Sequence, residues 1–246
     1  MTEIGRIFHG SPPLNRLPLF LVLSSLVACT KTPTTPPLTS VFLPTRVASA
    51  RPPVLVLLHG FGSNERDLLG LGASLDPRFD LYSLRGPLTL GPERFAWYPL
   101  TFTPDGPTHD PAEAERSRLR LITFLQDLQK TGADVYLLGF SQGTIMSLSI
   151  ALTEPGLIKG VVAISGRVLP DLEPVSGRPS PRVLLLHGTA DQVLPYRHAL
   201  ATEATLKAAG VPYEFQSFDA GHEISAPMRA AVATWLTAAL DQARAP

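Results

Sequence analysis

Three residues of this chain, Ser141, Asp191 and His222, have the side chains from which an activated nucleophile can be built, and each follows a segment that reads as a β-strand. A serine hydroxyl attacks a carbonyl only when a base removes its proton, an imidazole is suited to that task near neutral pH, and a carboxylate fixes the imidazole tautomer. Ser141 lies in Gly139-Phe140-Ser141-Gln142-Gly143, a G-x-S-x-G pattern between an apolar run and a helical one. The bare pattern is common. In a strand–turn–helix setting it predicts a tight elbow that lifts the hydroxyl clear of a sheet, with glycines where a side chain would collide with neighbouring backbone. Asp191 closes His187-Gly188-Thr189-Ala190-Asp191, and His222 stands in a loop opened by Asp219-Ala220-Gly221. Alone, the aspartate would be read as a turn or helix cap and the histidine as a surface residue. The chain order serine, acid, histidine is one in which such a set of three is built after strand ends. Asp171 is the reserve acid, and Asp219 is too close to His222 in sequence to serve it.

An attacked carbonyl needs donors for its developing negative oxygen. His59-Gly60-Phe61-Gly62 follows the first strong strand, where a glycine-flanked turn can offer a backbone N–H; the expected donors are the amides of Phe61 and Gln142. The same turn also serves simply to enter the next segment, and the two readings are compatible. His59 and His187 read as structural, His109 and His198 as surface residues, and His9 as part of a leader. No H-E-x-x-H, no phosphate-binding glycine loop and no cysteine pair is present, so neither a metal nor a cofactor is expected. With 21 basic and 21 acidic side chains the net charge is zero, which gives no electrostatic ground for nucleic-acid binding.

The elements that must position these residues alternate. Short apolar runs at 54–58, 135–138, 161–164 and 182–186 have the look of strands buried on both faces, with further strands at 80–84 and 213–218. Helical periodicity marks 113–130, 142–153, 196–209 and 226–240, with Gly132 and Gly210 closing two of them. Strand–helix alternation predicts an α/β fold: a mostly parallel sheet covered by helices on both faces, with the chemistry in loops beyond the carboxyl ends of the strands. Only residues 167–181 separate the strand after Ser141's helix from the strand before Asp191, so a large lid is not expected and short or medium acyl chains should suit the site. Phe61, Trp97 and Tyr98 are candidate pocket walls and equally candidate core.

Residues 1–28 read as an address. Arg6 and Arg16 precede an almost wholly apolar stretch at 17–28, which at about 12 residues is shorter than the roughly 20 a spanning helix needs. It ends in Leu26-Val27-Ala28-Cys29, the only cysteine of the 246 residues. This resembles a bacterial lipoprotein signal. The resemblance implies lipidation of Cys29 and a membrane-anchored protein of the cell envelope, a secreted or periplasmic soluble form being the alternative. Residues 29–50 then form a Pro/Thr-rich tether and lead-in, and 51–246 a single catalytic-type domain.

Together the motifs around His59, Ser141, Asp191 with Leu194-Pro195, and Gly221-His222 resemble the phospholipase/carboxylesterase family of small α/β-hydrolases, which includes acyl-protein thioesterases. Arg85-Gly86-Pro87 and Ala96-Trp97-Tyr98 add to the likeness, which spans residues 54–240. It implies cofactor-free hydrolysis of a small ester, thioester or other acyl substrate through an acyl-enzyme on Ser141, with Phe61 and Gln142 as the oxyanion residues. Family members usually lack a leader. Lipids, cell-wall acyl groups and environmental esters therefore stand beside acylated proteins as substrates. A peptidase or acyltransferase on the same fold, and a non-catalytic lipid-anchored binding protein, are the alternatives; no feature of the sequence bears on oligomeric state.

Overall fold

The computed structural model describes residues 37–103, 106–175 and 178–243. The leader, Cys29 and the Pro/Thr-rich stretch up to residue 36 lie outside the described residues. Among the latter, no helix is long and apolar enough to cross a membrane.

Seven strands form one sheet: β1 (Ser40–Leu43), β2 (Val54–Leu58), β3 (Asp80–Leu84), β8 (Val135–Phe140), β9 (Gly160–Ile164), β10 (Arg182–Gly188) and β11 (Tyr213–Phe218). Their order is β1-β3-β2-β8-β9-β10-β11, parallel throughout except for β1 against β3. Two small hairpins branch off after β3: β4 (Leu88–Gly91) with β5 (Arg94–Ala96), and β6 (Leu100–Thr103) with β7 (Gly106–His109). The helices are α1 (Leu69–Ser74), α2 (Pro111–Gln129), α3 (Gln142–Thr153), α4 (Arg197–Ala208) and α5 (Ala226–Ala243).

The sequence explains this layering. All five residues of β2 are buried, as a central parallel strand requires, and alternate side chains go to opposite faces. Val54, Val56 and Leu58 join Leu121 and Leu125 of α2, Ile145 and Leu148 of α3 and Leu206 of α4 in one core layer. Leu55 and Leu57 join Leu68, Met228, Val232 and Leu236 in the other, beneath α1 and α5. Truncating any of these fully buried leucines to alanine would cost about 2–5 kcal/mol. The expected α/β-hydrolase architecture, a mostly parallel sheet covered on both faces, is the observed one.

Differences from the sequence reading have local causes. The spacing predicts α2 from residue 113, but it starts at Pro111, because proline is already set for the first helical position and the Asp110 carboxylate caps it by accepting from Ala112 N (2.9 Å). β1 is four residues long and lies within the stretch read as lead-in, too short to carry a detectable alternation. No strand was expected at 88–109, where Glu93 takes a positive φ of 54° to turn the first hairpin. Between β9 and β10 the described residues contain no helix, in keeping with the absence of a large lid.

Candidate active site

β8 runs into α3 through Ser141, which adopts φ 53° and ψ −115°, a left-handed conformation that costs a non-glycine residue of order 1–3 kcal/mol. The surroundings enforce it. A Cβ on Gly143 would stand 1.9 Å from Leu58 O, and one on Gly139 2.5 Å from the backbone of Gly143. Both glycines of the motif are therefore demanded by backbone contact. Ser141 N donates to Ile164 O (2.9 Å), and Thr144 Oγ1 accepts from Ile164 N (2.9 Å), so the elbow is stitched to β9.

Ser141 Oγ lies 2.9 Å from His222 Nε2, and His222 Nδ1 lies 2.7 Å from Asp191 Oδ2. The structure thus joins the three residues singled out from sequence in one hydrogen-bonded chain. The Asp191 side chain is wholly buried and that of His222 is 15% exposed. The other carboxylate oxygen of Asp191, Oδ1, accepts from Val193 N (2.9 Å) and Leu194 N (2.8 Å), so both oxygens have fixed partners. The β10 and β11 loops meet because Gly188 has no side chain: a Cβ there would be 2.3 Å from Ala220 O. Ala190 N donates to Ala220 O (3.0 Å) and Thr189 N to Phe218 O (2.8 Å) across the same junction. The His222 ring packs against Phe140, with centroids 5.0 Å apart.

The loop after β2 reaches the same spot. A Cβ on Gly60 would stand 3.5 Å from the Ser141 Cβ, which sets the Phe61 turn beside the nucleophile, while Gln142 opens α3 immediately after it. The His59 ring holds this loop down. Its Nε2 accepts from Gly86 N (2.9 Å), so the proton resides on Nδ1, which donates to Gly60 O (2.7 Å). Burial pushes its pKa below the usual histidine value and keeps it neutral. Trp97 Nε1 donates to His59 O (2.9 Å), and Gly62 N to Phe95 O (2.8 Å).

The Gln142 side chain, absent from sequence reasoning except as the bearer of an amide, is buried and doubly bonded. Its Oε1 accepts from Trp97 N (2.8 Å) and its Nε2 donates to Tyr98 O (2.8 Å). Ser117 Oγ of α2 donates to Trp97 O from the other side. Trp97 and Tyr98 are 1% and 2% exposed, so they are core. They wall a cleft of about 570 Å³ between α2 and residues 87–88, whose described lining does not include Ser141, Asp191 or His222.

His187, at the end of β10, is another buried imidazole. Its Nε2 donates to Leu194 O (2.7 Å) and lies 3.4 Å from Asp191 Oδ2. Desolvation lowers its pKa, and its Nδ1 is buried without a partner, as fits a neutral ring protonated at Nε2. It supports the loop that carries Asp191, a role that no local pattern signals. Asp171, the reserve acid, is 44% exposed and does not approach His222; its Oδ1 is 3.8 Å from His109 Nε2. His109, expected at the surface, is instead tucked in at 8% side-chain exposure against the Tyr98 ring, because the β6–β7 hairpin folds onto that ring. Among the described residues, no group of three or more His, Cys, Asp or Glu side chains is arranged to hold a metal ion.

Comparison with known proteins agrees with this arrangement. Residues 45–240 match the phospholipase/carboxylesterase family model. The Escherichia coli K12 esterase YpfH is 30% identical over 167 residues, 64% of this chain and 69% of that protein. The crystal structure of esterase PE8 superposes with a TM-score of 0.71 at 30% identity, covering 82% of this chain and 99% of the other. A Bacillus cereus carboxylesterase shares the fold at a TM-score of 0.72 and 22% identity, over 82% and 94% of the two chains. The chain belongs to the phospholipase/carboxylesterase family.

Proposed function

We propose that the protein is a serine hydrolase that cleaves carboxylic esters or thioesters through an acyl-enzyme on Ser141. The observation that carries this reading is the hydrogen-bonded chain from Ser141 Oγ through His222 to Asp191, at 2.9 and 2.7 Å, set on a strained elbow. His222 Nε2 takes the serine proton as Oγ attacks the acyl carbonyl. The carbonyl oxygen, now negative, is held by the backbone amides of Phe61 and Gln142, and the latter also benefits from the positive end of α3. Collapse of the adduct breaks the bond to the alcohol or thiol, which leaves with the proton from His222. Water, deprotonated by the same imidazole, then attacks the acyl-enzyme and frees the acid and Ser141. Asp191 keeps the His222 proton on Nδ1 throughout. A binding protein would need neither the elbow strain nor the aligned imidazole.

The family and the esterase relatives support ester hydrolysis as the reaction class. The absence of a helix in the described residues between β9 and β10 supports a site open to short and medium acyl chains. At its N-terminus the protein is tethered to a membrane through acylated Cys29. The test is hydrolysis of p-nitrophenyl esters from acetate to palmitate by the purified protein and by Ser141→Ala. The variant is expected to lose at least about 10³-fold in kcat. Equal rates in the two folded proteins would refute the serine mechanism.

A further inference from the structure

Phe61, whose amide is one of the two proposed oxyanion donors, sits in a turn closed by Ser63 N donating to Gly60 O (3.3 Å). With a glycine on either side of Phe61, the turn has little stiffness of its own, and it is held from outside. Before it, His59 Nε2 accepts from Gly86 N (2.9 Å). After it, Gly62 N donates to Phe95 O and Phe95 N to Ser63 O, both at 2.8 Å, an antiparallel bridge onto β5. Two residues further on, Glu65 accepts from Arg85 through both carboxylate oxygens, from Nε and from Nη2, each at 2.6 Å. The Arg85 guanidinium also lies over the Phe95 ring, 4.2 Å from its centroid.

Arg85 and Gly86 are consecutive, so one short segment after β3 grips the Phe61 turn on both sides, at Glu65 and at His59. That segment is in turn pressed on the end of β5: a Cβ on Gly86 would stand 2.5 Å from Ala96 O. The Glu65 side chain is 4% exposed and that of Arg85 28%, and the guanidinium holds the carboxyl below its ordinary pKa, so the pair is charged at neutral pH. A pair withdrawn from water in this way adds little net stability, and an apolar pair of similar volume would serve the fold as well. What two parallel hydrogen bonds add is a fixed distance and a fixed orientation.

We propose that Glu65 and Arg85 are positioning residues of the reaction, whose ion pair sets the Phe61 amide at the place where the oxyanion forms. The inference rests on the acyl-enzyme reading above. Misplacing a donor aimed at the oxyanion raises the barrier and leaves binding of the uncharged ester nearly unchanged, so the loss falls on kcat.

The test uses the full chain and p-nitrophenyl butyrate, with wild type, Arg85→Gln, Arg85→Lys and the double variant Glu65→Leu with Arg85→Met. The double variant leaves no carboxylate buried alone, and it carries the test by itself if Arg85→Gln does not fold. Active sites are counted by the p-nitrophenol that diethyl p-nitrophenyl phosphate releases as it phosphorylates Ser141. Per site, kcat is expected to fall roughly 10- to 100-fold in Arg85→Gln and in the double variant, and less in Arg85→Lys, with KM within about two-fold of wild type. Hexyl trifluoromethyl ketone supplies a readout without turnover: Ser141 Oγ adds to its carbonyl carbon, the serine proton passes to His222, and the carbonyl oxygen takes the negative charge. Its inhibition constant should rise by the same factor as kcat falls. A kcat per site that matches wild type in the double variant, or a fall in kcat with the ketone bound as tightly as before, overturns the positioning role. A wild type that releases no p-nitrophenol from the phosphate, or releases as much as Ser141→Ala does, overturns the acyl-enzyme reading and this inference with it.

Discussion

Replacing Gln142 by glutamate changes one atom's chemistry at a buried junction and leaves the backbone amide of the proposed oxyanion hole in place. In the native protein Gln142 Oε1 accepts from Trp97 N and Nε2 donates to Tyr98 O, both at 2.8 Å, with the residue 2% exposed. An ionised carboxylate could still accept from Trp97 N but would set a negative oxygen against the Tyr98 carbonyl at a buried position. A protonated carboxyl would reproduce both bonds, accepting through its C=O and donating through its O–H. The fold therefore favours the protonated form and raises the pKa of the introduced carboxyl above its unfolded value near 4.3. A rise of about two units corresponds to about 2.7 kcal/mol lost at pH 7.5, or a melting temperature lower by roughly 5–10 °C for a domain of this size. The sign is definite: for a raised folded pKa the deficit is absent below the unfolded pKa and complete once the pH exceeds the folded one. Melting curves of Gln142→Glu and wild type at pH 7.5 and pH 5 measure this directly, as a difference at each pH. The gap should narrow in acid. If it is absent at pH 7.5, or widens on acidification, the side chain of Gln142 does not make the two bonds assigned to it.

Two further outcomes follow from other parts of the molecule. Burial lowers the pKa values of His59 and His187 below the 6.5 of a free histidine, so both are neutral in the fold while the unfolded chain takes up protons. Stability should then be complete above about pH 6.5 and decline as the pH falls toward the folded values, by up to about 2.7 kcal/mol per pH unit for the pair. Urea midpoints at pH 7.5 and 5.5 that are equal, or higher in acid, would contradict the neutral assignments. At the N-terminus, a bacterial host fed an alkyne fatty acid should label the full chain, and Cys29→Ser should abolish both the label and recovery in the membrane fraction. An unlabelled wild-type protein would dispose of the anchor.

What the sequence made legible were features with a local signature. β2 and α3 are found at the expected bounds, because an unbroken apolar run and a strand–elbow–helix junction leave unmistakable patterns. The serine, the acid and the histidine were identifiable because each had to follow a strand, and a parallel sheet puts those ends together. Long-range contacts made by unremarkable residues were not legible. Gln142 reaches Trp97 and Tyr98 more than forty positions earlier in the chain. The contact of His187 with Asp191 depends on how residues 191–194 curl back over the strand end.

The two buried histidines suggest why neutrality matters to the site as well as to the fold. Each stands at the end of a strand, His59 just after β2 and His187 one residue before the end of β10, precedes a glycine and bonds a carbonyl of the loop it supports, His59 at Gly60 O and His187 at Leu194 O. Loops that turn off a sheet leave backbone carbonyls to be satisfied away from water, and an imidazole can reach them at the cost of desolvating a neutral ring only. His187 has a second reason to remain uncharged. It lies 3.4 Å from Asp191 Oδ2, the same oxygen that accepts from His222 at 2.7 Å. Were His187 protonated, the carboxylate would, in the proposed mechanism, be shared between two cations when His222 takes the serine proton, and its stabilisation of the new imidazolium would be weakened. A neutral His187 fixes the acid loop without competing for its charge, so that the carboxylate's field acts on His222 alone. The groups that hold the loops in place and the proposed proton carrier are thus the same residue type, separated by burial: His59 and His187 are sealed from solvent, while His222 keeps 15% of its side chain exposed.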